Sequence, residues 1–271
     1  MILLVASKKD KASLNIAKQL ITNHNFRKVS KKFLNNPVYS KELPNGEAEL
    51  VFIDREPVNT QNLPFPQSLR LLIFLSRHKS VSGRPTLSVH TPGNLGEASL
   101  RGVAKKVSIS PASAMKEALI AMKKAQEETS LEYEVSYECT HHGPSLDVPT
   151  MFVELGSSPT QWEDSEAAEA VARGALAAAS CEKTHFTVIG IGGPHYNARF
   201  TRKALGTKIA FGHIIPKYAI ERLDEEMLRQ CVERTLEPVQ KAILDWKGIR
   251  GADKKNLLEN LRKTELEFEK I

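Results

Sequence analysis

Residues 139–156, CTHHGPSLDVPTMFVELG, set two adjacent histidines and a Gly-Pro turn before a short apolar run that carries one carboxylate. Glu154 lies among Met151, Phe152, Val153 and Leu155, so it is expected to be buried. A buried carboxylate is costly unless it is paired or hydrogen-bonded. Either a structural partner meets Glu154, or it belongs to a site with His141 and His142. Imidazole titrates near neutrality, which suits it to move a proton or to bind a metal. Histidines with a carboxylate form an N/O donor set suited to zinc, although no spacing here dictates one. Cys139 is either a nucleophile or metal ligand, or a buried apolar thiol.

A second stretch, Gly190-Ile-Gly192-Gly193-Pro194-His195-Tyr196, invites comparison with a dinucleotide fingerprint and fails it. The third glycine of that pattern would stand at His195, and Pro194 interrupts the entry from strand to helix. Two readings stand. Bare backbone at Gly192 and Gly193 admits a substrate beside His195 and Tyr196, or the glycines make a tight packed turn. There is no GxSxG elbow, no HExxH and no P-loop.

These residues need elements to hold them. Strand patterns run over 1–6, 50–54, 70–76, 86–91, 131–138, 150–155, 185–192 and 208–215, several of them almost wholly apolar. Helical patterns lie between them: 10–24, a helix with Ser110 as cap and Pro111 as first residue, and an alanine-rich helix over 158–180 opened by capping boxes. Amphipathic helices are expected over 221–244 and 253–268. Strands 70–76 and 86–91, joined by a short turn, could pair as a hairpin. The interleaving predicts one α/β domain, with a mixed, mostly parallel sheet sandwiched between helices. Six of the eight histidines (His78, His90, His141, His142, His195 and His213) fall at or near a strand's carboxyl end, where α/β sheets bind ligands. His24 and His185 have ordinary structural readings.

The chain has 271 residues, 41% of them hydrophobic, which excludes global disorder. No apolar run is long enough to span a bilayer, and the opening MILLVAS reads as a first strand instead of a signal peptide. Three cysteines without a CxxC pair argue for a reducing cytoplasm. Net charge is +6, and it is segregated. Residues 57–116 hold one acid, Glu97, and residues 194–220 hold none, while Arg77, Lys79, Arg199, Arg202, Lys203 and Lys217 lie inside these stretches. That suggests a positive face for an anionic partner, nucleic acid first; a solvated basic surface is the plain alternative.

The segments SRHKSVSGRPTLSVHTPGNLG (76–96), CTHHGPSLDVPTMFVELGSSPTQW (139–162), GIGGPHYNARFT (190–201) and GHIIPKY (212–218) together closely resemble the archaeal and plant type of D-aminoacyl-tRNA deacylase. The resemblance implies hydrolysis of the ester between a D-amino acid and tRNA, a fold similar to bacterial peptidyl-tRNA hydrolase, and dependence on Zn2+. Residue roles rest on chemistry. Glu154 is expected to orient His142 or His141, which activates water directly or as a zinc ligand. His195 and the amides around Gly192 and Gly193 would face the carbonyl oxygen. Arg77, Lys79, Arg199, Arg202, Lys203 and Lys217 would hold acceptor-stem phosphates, and Tyr196 or Tyr218 would stack on the terminal adenine. His78, His90, His142 and His213 are the metal candidates. Three competitors stay open: a peptidyl-tRNA hydrolase-like esterase, a non-catalytic tRNA-binding protein, and a metal hydrolase of small esters or amides. The second has no need of clustered histidines, and the third has no need of acid-free basic stretches.

Overall fold

A computed structural model of the protein describes residues 1–66 and 68–271. In chain order its elements are β1 (Ile2–Ser7), α1 (Lys11–Asn23), β2 (Arg27–Phe33), β3 (Asn36–Leu43), β4 (Gly46–Ile53), β5 (Leu71–Arg77), β6 (Thr86–His90), β7 (Gly93–Asn94) and β8 (Lys106–Val107). Then come α2 (Ala112–Thr129), β9 (Glu134–Tyr137), β10 (Thr150–Gly156), α3 (Pro159–Glu163), α4 (Ser165–Ala179) and β11 (Phe186–Ile191). The last third holds α5 (Ala198–Gly206), β12 (Ile209–Ile215), α6 (Glu225–Glu233), β13 (Val239–Leu244), α7 (Gly251–Lys263) and β14 (Phe268–Lys270).

Strand alternation explains the layering. In β10, Met151, Val153 and Leu155 point into a core shared with α1, α2 and α4, whereas Phe152 joins Phe74 and Leu72 on the other face. The main sheet runs β2-β3-β4-β1-β5-β10-β6-β9. It is parallel from β4 through β10 and at β6-β9, and antiparallel at the other pairs. A second sheet, β12-β11-β13-β14, is parallel throughout. The sheet is therefore mixed and mostly parallel as expected, but there are two sheets and the sandwich is one-sided. Helices cover one face of the main sheet; Leu63, Leu69 and Leu146 from loops cover much of the other.

Several local expectations give way for identifiable reasons. Strands β5 and β6 do not pair, because β10 lies between them and bonds to both. Ser110 does not cap α2: its hydroxyl pairs with that of Thr91 at 2.7 Å, and the Glu237 carboxylate accepts the amides of Ala112 and Ser113 instead. The alanine-rich helix is broken at Asp164, whose side chain accepts the amides of Glu166 and Ala167 and starts α4. Residues 221–244 divide into α6 and β13, since Pro238 cannot continue a helix. The helix expected over 253–268 ends at Lys263, and β14 follows. The hairpin β2-β3 has no counterpart in the sequence pattern described above. Among the described residues no helix is long and apolar enough to cross a membrane.

Candidate active site

The helix-free face of the main sheet turns polar toward one corner. Ser76 on β5, Ser88 and His90 on β6, and Glu154 on β10 lie on the face that Phe74 and Phe152 occupy, and all four are buried. The chain after β9 stitches this corner to the second sheet. The amide of Cys139 donates to the His195 carbonyl at 2.9 Å, that of Thr140 to Ile214 at 2.8 Å, and that of Asn197 to Tyr137 at 3.0 Å. The corner thus receives His78 from β5, His90 from β6, His141 and His142 from the loop after β9, and His195 from the loop after β11.

At its centre stands a residue the sequence reading passed over, Glu138. His195 Nε2 donates to it at 2.8 Å, His78 Nδ1 lies 3.2 Å from its other oxygen, and the Ser88 hydroxyl donates to that same oxygen. Burial alone would raise the Glu138 pKa, but hydrogen bonds from His195 and His78 outweigh it and hold the carboxyl well below its usual range. The two imidazoles answer in kind. Burial works against charge on His78, yet Glu138 and Glu154 lift it to about 10; His195 is lifted to about 11 by Cys139 and Glu138. Glu138 was hidden because the run Glu132-Tyr-Glu134-Val-Ser-Tyr-Glu138 reads as a strand with a solvated acidic face. Its proximity to His141 was the available signal.

Glu154 is placed differently from expectation. Its partner is His78 Nδ1 at 3.3 Å, not His141 or His142. Burial, with the neighbouring charge of Glu138, raises its pKa to about 7. The charge that organises the corner sits on Glu138.

The other three imidazoles are neutral. His90 is fully enclosed, stacked on Phe152 at 5.0 Å, and neither ring nitrogen has a partner among the described residues. Burial first, then the neighbouring imidazoles, hold His90 and His141 well below the ordinary range; His142 is pushed down to about 4 by burial. His141 Nδ1 donates to the Cys139 carbonyl at 2.8 Å and His142 Nδ1 to the Gly143 carbonyl at 2.7 Å, which leaves both Nε2 atoms as lone-pair acceptors. His142 is held at φ +41°, a conformation costing roughly 1–3 kcal/mol and kept only where surroundings enforce it. The amide of Gly93 does so by donating to both the His141 and His142 carbonyls. A side chain at Gly93 would collide with Val107, 2.5 Å from an added Cβ.

One nitrogen from each of His90, His141 and His142 lies within 4.8 Å of the others. Three neutral imidazoles, two of them steered by backbone carbonyls and one with orphaned nitrogens, fit a zinc donor set. Cys139, His141 and His195 form a second such group, and His78, Glu138 and His195 a third.

A cleft of about 440 Å³ opens with Thr140, His141, His142 and His195 as its floor, walled by residues 93–97 and 99–100 on one side and by Pro216, Tyr218 and Arg222 on the other. Tyr218 is 57% exposed, yet its hydroxyl reaches Cys139 Sγ at 3.2 Å and His195 Nδ1 at 3.4 Å. Tyr196 packs edge-on against His78 and His195. Gly192 and Gly193 keep out of the cleft: the Gly192 amide donates to the Ile215 carbonyl, and both glycines press on Asp245 and Asn197. Of the proposed phosphate ligands, Arg77 is paired with Glu56, Arg199 with Asp245 and Lys203 with Glu269. Lys79, Arg202 and Lys217 have no ion pair among the described residues and are exposed.

His213 stands apart from the five. The Thr140 hydroxyl lies 3.1 Å from its Nδ1, and its Nε2 donates to the Arg234 carbonyl at 3.1 Å, so both nitrogens are occupied. Burial pushes its pKa down to about 4. Folded His213 therefore refuses a proton that the unfolded chain binds below pH 6.5, and the stability it contributes is lost as pH falls from 6.5 through 4. The loss is roughly 3 kcal/mol. Urea unfolding across this window should show it in the native protein, and His213→Gln should make that acid limb shallower by this amount, the rest belonging to His90, His141 and His142. An unchanged limb would place the titration elsewhere.

A family model described as D-aminoacyl-tRNA deacylase matches residues 65–269. The D-aminoacyl-tRNA deacylase of Thermococcus kodakarensis is 39% identical over 255 residues, covering 91% of each chain. That of Pyrococcus abyssi is 37% identical over 274 residues, 98% of each chain. That of Methanosarcina mazei is 40% identical over 263 residues, 92% of this chain and 86% of its own. A crystal structure of a conserved protein of unknown function superposes with a TM-score of 0.86 at 31% identity, covering 100% of this chain and 95% of that one.

Proposed function

The chain belongs to the D-aminoacyl-tRNA deacylase family, and on that premise we propose that it hydrolyses the ester of D-aminoacyl-tRNA in the histidine cleft, releasing the D-amino acid and reusable tRNA. One observation carries the reading. His195, bonded to the buried Glu138 behind it, lines one cleft together with neutral His141 and His142, which group with buried His90, so a charged donor and proton acceptors stand side by side.

An aminoacyl ester is already activated and needs a positioned water, a base and stabilisation of the oxyanion. Charged His195, held by Glu138, faces the developing negative charge on the carbonyl oxygen, with the Tyr218 hydroxyl beside it. Water attacks the carbonyl carbon while a neutral Nε2 of His142 or His141 accepts its proton. The bond to the ribose oxygen then breaks, and that oxygen takes up the proton. Zn2+, when bound, would be held by His90 and by those same Nε2 atoms of His141 and His142, and would then supply Lewis acidity that lowers the pKa of water in place of the direct imidazole base. Of the earlier metal candidates, His78 serves Glu138 and Glu154 in this reading, and His213 is excluded by its two occupied nitrogens.

Lys79, Arg202 and Lys217 are the phosphate contacts this reading favours, with Tyr218 stacking on the terminal adenine, a contact worth about 1–3 kcal/mol. The same proposal takes the chain as one domain acting in the cytoplasm, where tRNA is charged and where its three cysteines stay free. It also retains the fold likeness to bacterial peptidyl-tRNA hydrolase, which a superposition checks.

Time courses with matched D-aminoacyl-, L-aminoacyl- and N-blocked aminoacyl-tRNA test the activity. Selective loss of the D-aminoacyl ester is expected. Preference for the N-blocked substrate would make the protein a peptidyl-tRNA hydrolase, and binding without hydrolysis would make it a tRNA-binding protein.

A further inference from the structure

Residues 11–41 contain seven lysines and arginines and no aspartate or glutamate. This is a third acid-free stretch, and it lies outside the residues 65–269 matched by the family model. Much of it forms the hairpin β2-β3. β2 is the edge strand of the main sheet, paired among the described residues only with β3, and every residue from Arg27 to Lys32 is exposed. Lys31 is held by Glu49 at 2.7 Å. Arg27, Lys28 and Lys32 have no hydrogen-bonded or ionic partner for their side chains among the described residues. An edge strand carrying such charges is protected from pairing with another chain. A second copy bonded there would set the same cations against one another.

We infer that β2 and its turn form a docking surface for a double-helical arm of tRNA, with Arg27, Lys28 and Lys32 contacting backbone phosphates. The inference rests on the proposed function for the identity of the polyanion, while the cations themselves are read from the fold. Their geometry suits a duplex. From Arg27 to Lys32 the strand spans roughly 17 Å, and the five strand steps from β2 to β10 span roughly 24 Å. The hairpin turn lies at the edge of the sheet that also carries His78: Asn36, which opens β3, contacts Lys8 and Asp54 at the ends of β1 and β4. Exposed Lys9 and Lys79 follow β1 and β5, the strands that lie between β4 and β10 in the sheet. A tRNA with its 3′ end in the cleft can therefore lay its duplex arm across β2. Contacts of this kind bind without reading sequence, as an enzyme serving many tRNAs requires.

The test uses the full chain with Arg27→Ser, Lys28→Ser and Lys32→Ser combined, and measures binding of uncharged tRNA over a range of salt alongside deacylation of D-aminoacyl-tRNA. The triple variant should bind tRNA about tenfold or more weakly near 0.15 M salt, and its salt slope should fall by about 3. In deacylation the defect should appear in KM and not in kcat. Lys28→Arg with Lys32→Arg, which keeps the charge, should bind like the native protein and so separates loss of contact from loss of fold. Native tRNA affinity and salt slope in the triple variant would overturn the inference while leaving the deacylase reading intact. A failure to hydrolyse D-aminoacyl-tRNA with hairpin-dependent tRNA binding would do the reverse. A native dimer that the triple variant abolishes would assign β2 to self-association and overturn the inference.

Discussion

Glu138→Gln should lower the deacylation kcat by about 10³–10⁴-fold in a protein that still folds. The substitution keeps the shape and one acceptor but removes the charge that His195 and His78 share. Without it the imidazolium of His195, facing the cleft, loses one of the two partners that hold it protonated, Cys139 being the other. The cation presented to the carbonyl oxygen is therefore depleted near neutral pH. Single-turnover deacylation measures the rate, and NMR titration of the His195 ring measures the cause, expected as a fall in its pKa from about 11 toward the ordinary histidine range. Glu154→Gln supplies the contrast. At pH 6.5 a carboxyl with a pKa near 7 is largely neutral, and glutamine resembles it, so less than about tenfold in kcat should be lost. Burial and Glu138 raise the Glu154 pKa, so its contribution to stability is present below pH 4.5 and is lost as pH rises through about 7; Glu154→Gln should remove that slope. A large rate loss at Glu154 with little at Glu138 would reverse the assignment.

Removal of zinc should reduce kcat by roughly 10²–10⁴-fold if the imidazole trio holds it. Elemental analysis of active protein, before and after dialysis against chelator, gives the stoichiometry independently of rate. His90→Phe is the informative variant. Phenylalanine preserves the stacking on Phe152 and deletes two buried nitrogens that have no partner among the described residues. Such a change is close to neutral or stabilising in the metal-free protein. Zinc content and turnover should both fall while the melting temperature of the metal-free protein holds. Full activity in metal-free protein would remove zinc from the reaction and leave His142 or His141 as the direct base.

The hairpin β2-β3 and the strand β13 show where local pattern stops being informative. Val239-Gln-Lys-Ala-Ile-Leu244 continues an amphipathic run, and only the break at Pro238 separates a strand from a helix there. β2 alternates too weakly to reveal a strand, because an edge strand exposed along its length has no buried face to mark it. Salt bridges are likewise invisible in one dimension. Arg199 and Lys203 stand in an acid-free stretch, yet Asp245 and Glu269, far along the chain, take their charges.

The sequence by itself determined the chemistry available at this corner. It supplied histidines near the carboxyl ends of strands, an apolar strand with a carboxylate, a loop of two adjacent imidazoles, and motifs irregular enough to point to one family. Those features are local, and strand periodicity or motif order registers them directly. Tertiary structure alone decided which carboxylate holds the charge, which imidazoles are neutral, and which histidine stands apart. Each of these depends on partners far apart in the chain: Glu138 with His78 and His195, Glu154 with His78, and His213 with Arg234. Protonation at a buried site is set by burial and by the nearest charges in space, and neither is a property of neighbours in sequence.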